Sequence, residues 1–388
     1  MRLTEPFRRF HAPETAPPEK RPRTHAIGMV TTPGDPLGES RVRGAALAVD
    51  LANEGRGGGE ARLRLEVGRS DGPWSSAAAV ARDLLYERRC LALITPPDRA
   101  TSHLLEQVAA RAHAPLVSLS GASALTRVPV PWLARVVPDD RAQIGALIEA
   151  LPPEASRGPI PALVPAGRDG EAVRSDLAAV AEGREADLAP VIAVGELCRG
   201  LSTGGESLGK GPVLVWLGRG AAWKVLRIAA EQAWAGPLLL PREVLDGVSV
   251  LPPGLPPCLT VRLFEGGAGR GEGARFARAY RRRHGVQPDE AAACAFDAAS
   301  ILVEAISHAG ASRAGIRGRL SAMGARHGVT GPIRLDGTGN RRMEASVWRL
   351  GRACNDTGRE GDGVWRQLAG PRCETSGVEG PLSKGSKR

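Results

Sequence analysis

Ala26-Ile27-Gly28-Met29-Val30 is an apolar run of strand length, short enough to be buried on both faces of a sheet. A loop rich in Gly and Pro carries the chain to Gly38, and apolar residues then recur at helical spacing from Arg41 to Asn53. In residues 62–67 Leu63, Leu65 and Val67 alternate with Arg62, Arg64 and Glu66, the period-two pattern of a second strand. Strand, helix and strand in that order form a βαβ unit, which predicts a parallel sheet with crossover helices.

The alternation continues outward from this unit. A helix is expected over 75–88, a strand over 91–94, a helix over 101–112, and strands over 115–118 and 133–137, which completes one doubly wound lobe. After a helix ending at Leu151, the Pro-rich stretch Pro152 to Pro161 breaks the pattern and a second series begins. Its strands are expected at 162–164, 191–194, 213–217 and 238–240, with helices at 171–181 and 221–233. Then follow a strand over 259–264, helices over 272–284 and 289–309, a final helix, and strands over 333–335 and 345–350. In the long helix Ala295, Ala299, Leu302 and Ile306 share one side. The fold class expected is α/β, with two doubly wound lobes. Residues 1–25 are polar, basic and Pro-rich, and the composition beyond Gly351 turns to Gly, Ser, Lys and charge, so disorder is expected at both ends.

A length of 388 residues suits two lobes better than one core. Hydrophobic residues at 42% and charged residues at 24% fit a globular protein, while aromatics at 4% leave the core to Leu, Val, Ile and Ala. No apolar run approaches the roughly 20 residues that span a bilayer, so no membrane insertion is expected. The net charge of +10 raises the question of nucleic acid. Arg is spread along the whole chain, Lys is scarce and no nucleic-acid module is present, so no such partner is expected.

Cys90, Cys198, Cys258, Cys294, Cys354 and Cys373 lie far apart, with no CxxC pair and no His at ligand spacing; neither metal nor cofactor is expected. Cys354 and Cys373 either close a loop or remain two free thiols. Residues 1–25 lack the apolar core of a secretory signal. Residues 204–210 match the GxxxxGK spacing of a phosphate loop, but Gly211 replaces the metal-binding hydroxyl and a strand is expected next. The Gly-rich run 266–273 lacks dinucleotide spacing and reads as a flexible crossing. With no GxSxG elbow and no HExxH, catalysis is not expected.

Four stretches, in order, resemble the type I periplasmic-binding family, in particular its leucine/isoleucine/valine-binding branch of ABC-transporter solute receptors. They are Ile27-Gly28 with Gly38 and residues 43–49; Leu91 to Ile94 followed by Pro115 to Ser118, Ser120 to Ser123 and Leu125-Thr126; Phe276, Ala279-Tyr280, Arg283, Gly285, Pro288 and Phe296-Asp297-Ala298; and Gly328 to Asp336 with Gly339. The resemblance runs from about Ile27 to Leu350 and implies two lobes joined by a three-segment hinge near Val137-Pro138, Phe264-Glu265 and Gly331-Pro332. Lobe 1 is then 26–137 completed by 265–331, and lobe 2 is 138–264 completed by 332–350. It also implies a small polar ligand such as an amino acid between the lobes, an ABC-transporter permease as partner, and an extracytoplasmic location. An intracellular sensor of the amide-sensing type, acting on a partner protein in the cytoplasm, is the alternative that the missing signal favours.

By the same resemblance, two first-lobe loops hold the ligand. Ser120, Gly121, Ala122 and Ser123 offer small side chains, N–H groups and hydroxyls to a carboxylate, or form only a turn and helix cap. The other loop departs from the family's Gly-Ser pattern and carries Asp98, Arg99, Ala100 and Thr101. There Arg99 suits an anionic group and Asp98 a cationic one, or Asp98 caps the helix that follows. In the second lobe Asp169 stands where the family has an aromatic clamp, and Arg219, Arg242 and Glu243 follow strands at positions of polar contacts or serve as solvated charges. Trp74 either lines the rim or packs on its neighbouring helix.

Overall fold

In chain order the elements are β1 (Thr24–Thr31), α1 (Gly38–Glu54), β2 (Arg62–Arg69), α2 (Ser75–Arg82), β3 (Cys90–Ile94), α3 (Arg99–Arg111), β4 (Leu116–Ser118) and β5 (Leu133–Arg135). Next come α4 (Asp140–Glu149), α5 (Pro153–Ser156), β6 (Ala162–Leu163), α6 (Arg168–Glu182), β7 (Val213–Val215), α7 (Arg219–Glu231), β8 (Leu238–Leu240), α8 (Arg242–Leu245) and β9 (Cys258–Arg262). The chain continues with α9 (Glu272–His284), α10 (Glu290–Ala309), α11 (Arg313–Ser321), β10 (Arg326–Gly328), β11 (Gly331–Leu335), β12 (Arg341–Arg342), β13 (Ser346–Cys354) and β14 (Glu360–Ala369). This is a computed structural model, and it describes residues 24–57, 60–71, 75–156, 160–182, 211–248, 252, 254–267, 271–342, 346–354 and 360–369. The strand expected at 191–194, the GxxxxGK stretch, Trp74, Cys198 and Cys373 lie outside those residues.

The chain divides into two compact units, one of residues 1–137 and 264–341, the other of residues 138–263 and 342–388. The first holds a parallel sheet in the order β2-β1-β3-β4-β5. β1 is central and buried from Ala26 to Val30, which is why its sequence is apolar on both faces. Register sets Ile27 against Leu65 and Met29 against Val67, so the alternating β2 turns Leu63 inward and Arg62 and Arg64 outward. Helix α1 lies on α10, and a Cβ at Gly44 would collide with the backbone of Ala292, so only glycine permits that approach. Ser40 fixes the same junction, its hydroxyl donating to Asp289 at 2.7 Å while Asp289 caps α10 through the Ala292 N–H. By length and apolar character α10 could cross a membrane, contrary to the expectation that no segment could. Two-thirds of that window is buried within the fold, however, which makes it a core helix.

The helix expected through Arg88 ends as an α-helix at Arg82 and continues as a π-helical turn over Asp83–Glu87. Its wider winding lets the consecutive Leu84 and Leu85 both reach the core.

The third change of unit comes at Arg341–Arg342, later than the Gly331-Pro332 position expected from sequence. The cause is a small sheet, β10-β11-β12, which keeps the segment in the first unit. Within it the buried Arg341 guanidinium donates to the carbonyls of Val136, Thr330 and Pro332 at 2.7–2.8 Å and to the Thr330 hydroxyl at 2.7 Å. Thr330 is held in turn by Asp297, which also accepts the Val329 N–H at 2.9 Å.

The second unit has the sheet order β14-β13-β9-β8-β7-β6, parallel from β6 to β9 and antiparallel at β13 and β14. Residues 360–369, expected to be disordered, form the edge strand β14. Pairing with β13 satisfies the backbone groups on its inner side, Trp365 packs against the core of this unit, and the Trp365 indole donates to the Val248 carbonyl at 3.0 Å. One aromatic anchor and a ladder thus outweigh a polar composition.

Candidate ligand-binding site

In the first unit β3 and β4 are adjacent and parallel, so the loops that follow them leave the same edge of the sheet. A buried cluster of hydroxyls ties these loops together. Ser102 Oγ donates to the Pro96 carbonyl at 2.8 Å and lies 3.0 Å from Thr95 Oγ1, which is 3.2 Å from Ser118 Oγ. Thr95 Oγ1 accepts the Leu119 N–H, Ser118 Oγ accepts the Ser120 N–H, and Ser120 Oγ accepts the Ala122 N–H. Thr95, Ser102, Ser118 and Ser120 are all fully buried. The N–H groups of Ser120 and Ala122, expected to face a carboxylate, are therefore turned inward, and Ser120 is part of the scaffold.

Gly121 and Ala122 are braced from below. Arg135, fully buried, donates from Nη2 to the Ala122 carbonyl at 2.6 Å and to Thr126 Oγ1 at 3.3 Å, and its Nη1 lies 3.5 Å from the Gly121 carbonyl. Its own N–H donates to the carbonyl of Gly339 at 2.8 Å. Gly339 has φ +83°, and any Cβ there would strike the Leu133 carbonyl, so a side chain at this position would dislodge the brace. Ser123 opens a single 3₁₀ turn, is 8% exposed, and has a buried hydroxyl with no hydrogen-bond partner among the described residues. A buried hydroxyl left without a partner costs about 1–3 kcal/mol, so its presence calls for an acceptor or donor supplied from elsewhere.

In the neighbouring loop Asp98 is the N-cap of α3, its carboxylate accepting the Thr101 N–H at 2.7 Å. Asp98 is exposed and Arg99 half-buried. Ala100 is half-buried in the first turn, and Thr101 is buried. On the inner side of α3 burial raises the Glu106 carboxyl above its ordinary value, opposed by His103, whose Nδ1 is 3.6 Å away.

The second unit repeats the placement, because β6, β7 and β8 run parallel and Asp169, Arg219, Arg242 and Glu243 all follow them. Arg219 Nη1 donates to the carbonyls of Glu243 and Asp246 at 2.9 and 2.8 Å, which ties the loop after β7 to α8. The Arg242 N–H donates to Gln143 Oε1 at 3.0 Å, and Arg242 is 5% exposed. Glu243 is half-buried, and Asp169 is exposed in the first turn of α6. Hydrogen bonds thus bring Arg219, Arg242 and Glu243 to one corner, while no described contact draws Asp169 to them.

Thr95, Ser102, Ser118 and Arg135 were missed as supports for the site. The one local signal was Arg135, a charge inside the apolar run from Leu133 to Val137. Among the described residues no group of His, Cys, Asp and Glu could hold a metal ion, and the hydroxyl cluster is hydrogen-bonded to no His or carboxylate base. Cavities of about 240 Å³ beside Trp132 and Asp336 and about 180 Å³ beside Glu304 and Met323 lie in the first unit, and no candidate residue lines either.

The family model described as periplasmic binding protein matches residues 26–183. No curated protein matches the chain in sequence. Its fold is similar to that of the branched-chain amino acid transporter substrate-binding protein LivJ from Streptococcus pneumoniae, solved with isoleucine, at 18% identity and TM-score 0.67, covering 89% of this chain and 99% of that one. It is also similar to an ABC transporter substrate-binding protein from Desulfitobacterium hafniense, solved with leucine, at 19% identity and TM-score 0.68, covering 87% and 99%. A solute-binding protein of an ABC transporter from Rhodopseudomonas palustris, solved with 3,4-dihydroxybenzoic acid, gives 15% identity and TM-score 0.69, covering 89% and 97%. Residues 26–183 match the periplasmic binding protein family model, and the chain carries the type I periplasmic-binding fold of the similar structures.

Proposed function

We propose that the chain is the solute receptor of an ABC-type importer and binds a small carboxylate, an amino acid or a relative, at the loops that follow its parallel strands. The observation that carries this reading is the Ser123 hydroxyl, buried without a partner among the described residues in a braced loop beyond the end of β4. A ligand carboxylate supplies the acceptor that this hydroxyl lacks, and the hydrogen bond to a charged group is the stronger kind. Isoleucine, leucine and dihydroxybenzoate, the ligands of the similar structures, share a carboxylate and little else. The aromatic clamp expected of the family is replaced around Asp169, so selectivity at the far end of the ligand differs from that of an aliphatic amino-acid receptor. The partner on this reading is a transporter permease that recognises the closed form, and an extracytoplasmic location accompanies it.

A thermal-shift screen of amino acids, amides and aromatic carboxylates tests the proposal. At least one carboxylate should raise the melting temperature in a dose-dependent way by mass action. Ser123→Ala should lose that shift. A full shift in the Ser123→Ala variant, or stabilisation only by ligands without a carboxylate, would remove Ser123 and the carboxylate from the reading.

A further inference from the structure

Helix α9 has a buried side of Ala274, Phe276, Ala277 and Tyr280, which packs with Leu47, Ala292 and Val329 in the first unit. Its outer side is built almost entirely of arginine. Arg275, Arg278 and Arg282 follow one another at i, i+3 and i+7, and Arg281 and Arg283 stand beside them, all exposed. Two of these arginines are paired, Arg275 with Glu272 and Arg283 with Asp50 at 2.6 Å. Arg278, Arg281 and Arg282 have no ion-pair partner among the described residues. Basic residues in a last turn complement the helix dipole, which accounts for Arg281 to His284 but not for Arg278, a full turn earlier. Directly after the helix, beyond the left-handed Gly285, Val286 is 49% exposed.

We propose that this outer face of α9 docks the first unit on an anionic phospholipid surface. Unneutralised guanidinium groups on one helical face complement a diffuse layer of headgroup phosphates and release its counterions, and their aliphatic stems can lie along the interface. Val286 favours lipid over nucleic acid, because an exposed apolar side chain at the end of the charged row gains from the acyl boundary and gains nothing from a sugar-phosphate backbone. The face has no dependence on the ligand loops, so it stands or falls apart from the proposed function.

The test is co-sedimentation of the full chain with vesicles of mixed phosphatidylglycerol and phosphatidylcholine, and with vesicles of phosphatidylcholine alone. Binding should require phosphatidylglycerol and weaken steeply with added salt. The triple variant Arg278→Glu, Arg281→Glu, Arg282→Glu should retain its melting temperature and bind about a hundredfold more weakly. A control of equal charge change on other exposed positions, Lys224→Glu, Arg227→Glu, Arg319→Glu, should bind almost as the parent does. Three results would each overturn the proposal. They are undiminished binding by the α9 variant, an equal loss in the control, which would assign the effect to net charge, and salt-sensitive capture of duplex DNA with no vesicle binding.

Discussion

Ser123→Ala should change stability in opposite directions with and without ligand. In the free protein the hydroxyl is buried, in a residue 8% exposed, and has no partner among the described residues. Its removal gives up no hydrogen bond and relieves the cost of hiding a polar group from water, about 1–3 kcal/mol, less a small loss for the cavity left behind. A net gain of about 1 kcal/mol raises the melting temperature of a unit of this size by roughly 2–4 °C. With a saturating carboxylate the balance reverses. The parent regains a charge-assisted hydrogen bond that Ala cannot make, and the variant's affinity should fall by about 10- to 100-fold, the equivalent of about 1.5–3 kcal/mol. Differential scanning calorimetry of both proteins, with and without a hit from the carboxylate screen, measures both signs at once. A ligand-free variant less stable than the parent by 1 kcal/mol or more would mean that the hydroxyl is satisfied inside the fold, and the reasoning would fail.

Arg135→Met should destabilise the first unit by about 3 kcal/mol, because it leaves the Ala122 carbonyl and Thr126 hydroxyl without their donor, and ligand binding should weaken with it; an unchanged urea midpoint would refute the brace. Burial raises the Glu106 carboxyl above its unfolded value, so the unfolded state binds fewer protons in that window and stability should fall as pH rises through the folded value. Glu106→Gln should flatten that slope in melting temperature measured against pH. The Cys90 and Cys258 thiols are pushed up to about 12 by burial, so in the native protein at pH 8 neither should react with a thiol-specific disulfide reagent, and both should react after denaturation.

The sequence alone determined the architecture, because a sheet buried on both faces writes its strands as apolar runs and each crossover helix writes a period of its own. Ile27, Leu93 and Leu239 are fully buried, and each lies in a run or motif read from one dimension. That the two candidate loops follow β3 and β4 was legible for the same reason, since parallel strands send their following loops to one edge. Tertiary structure alone decided what each polar residue in those loops does. Whether Asp98 meets solvent, a ligand or the Thr101 N–H depends on the backbone conformation at the helix start. Whether Ser120 offers a hydroxyl outward or spends it on the Ala122 N–H depends on a partner two residues away but on a turn that periodicity does not encode. Arg135 and Ser102 acquire their roles from carbonyls and hydroxyls brought near by folding, and β14 acquires its order from a ladder with β13. Hydrophobic burial is additive and periodic, so it leaves a pattern along the chain, whereas a hydrogen bond is directional and pairwise and its partner is set only when the fold closes.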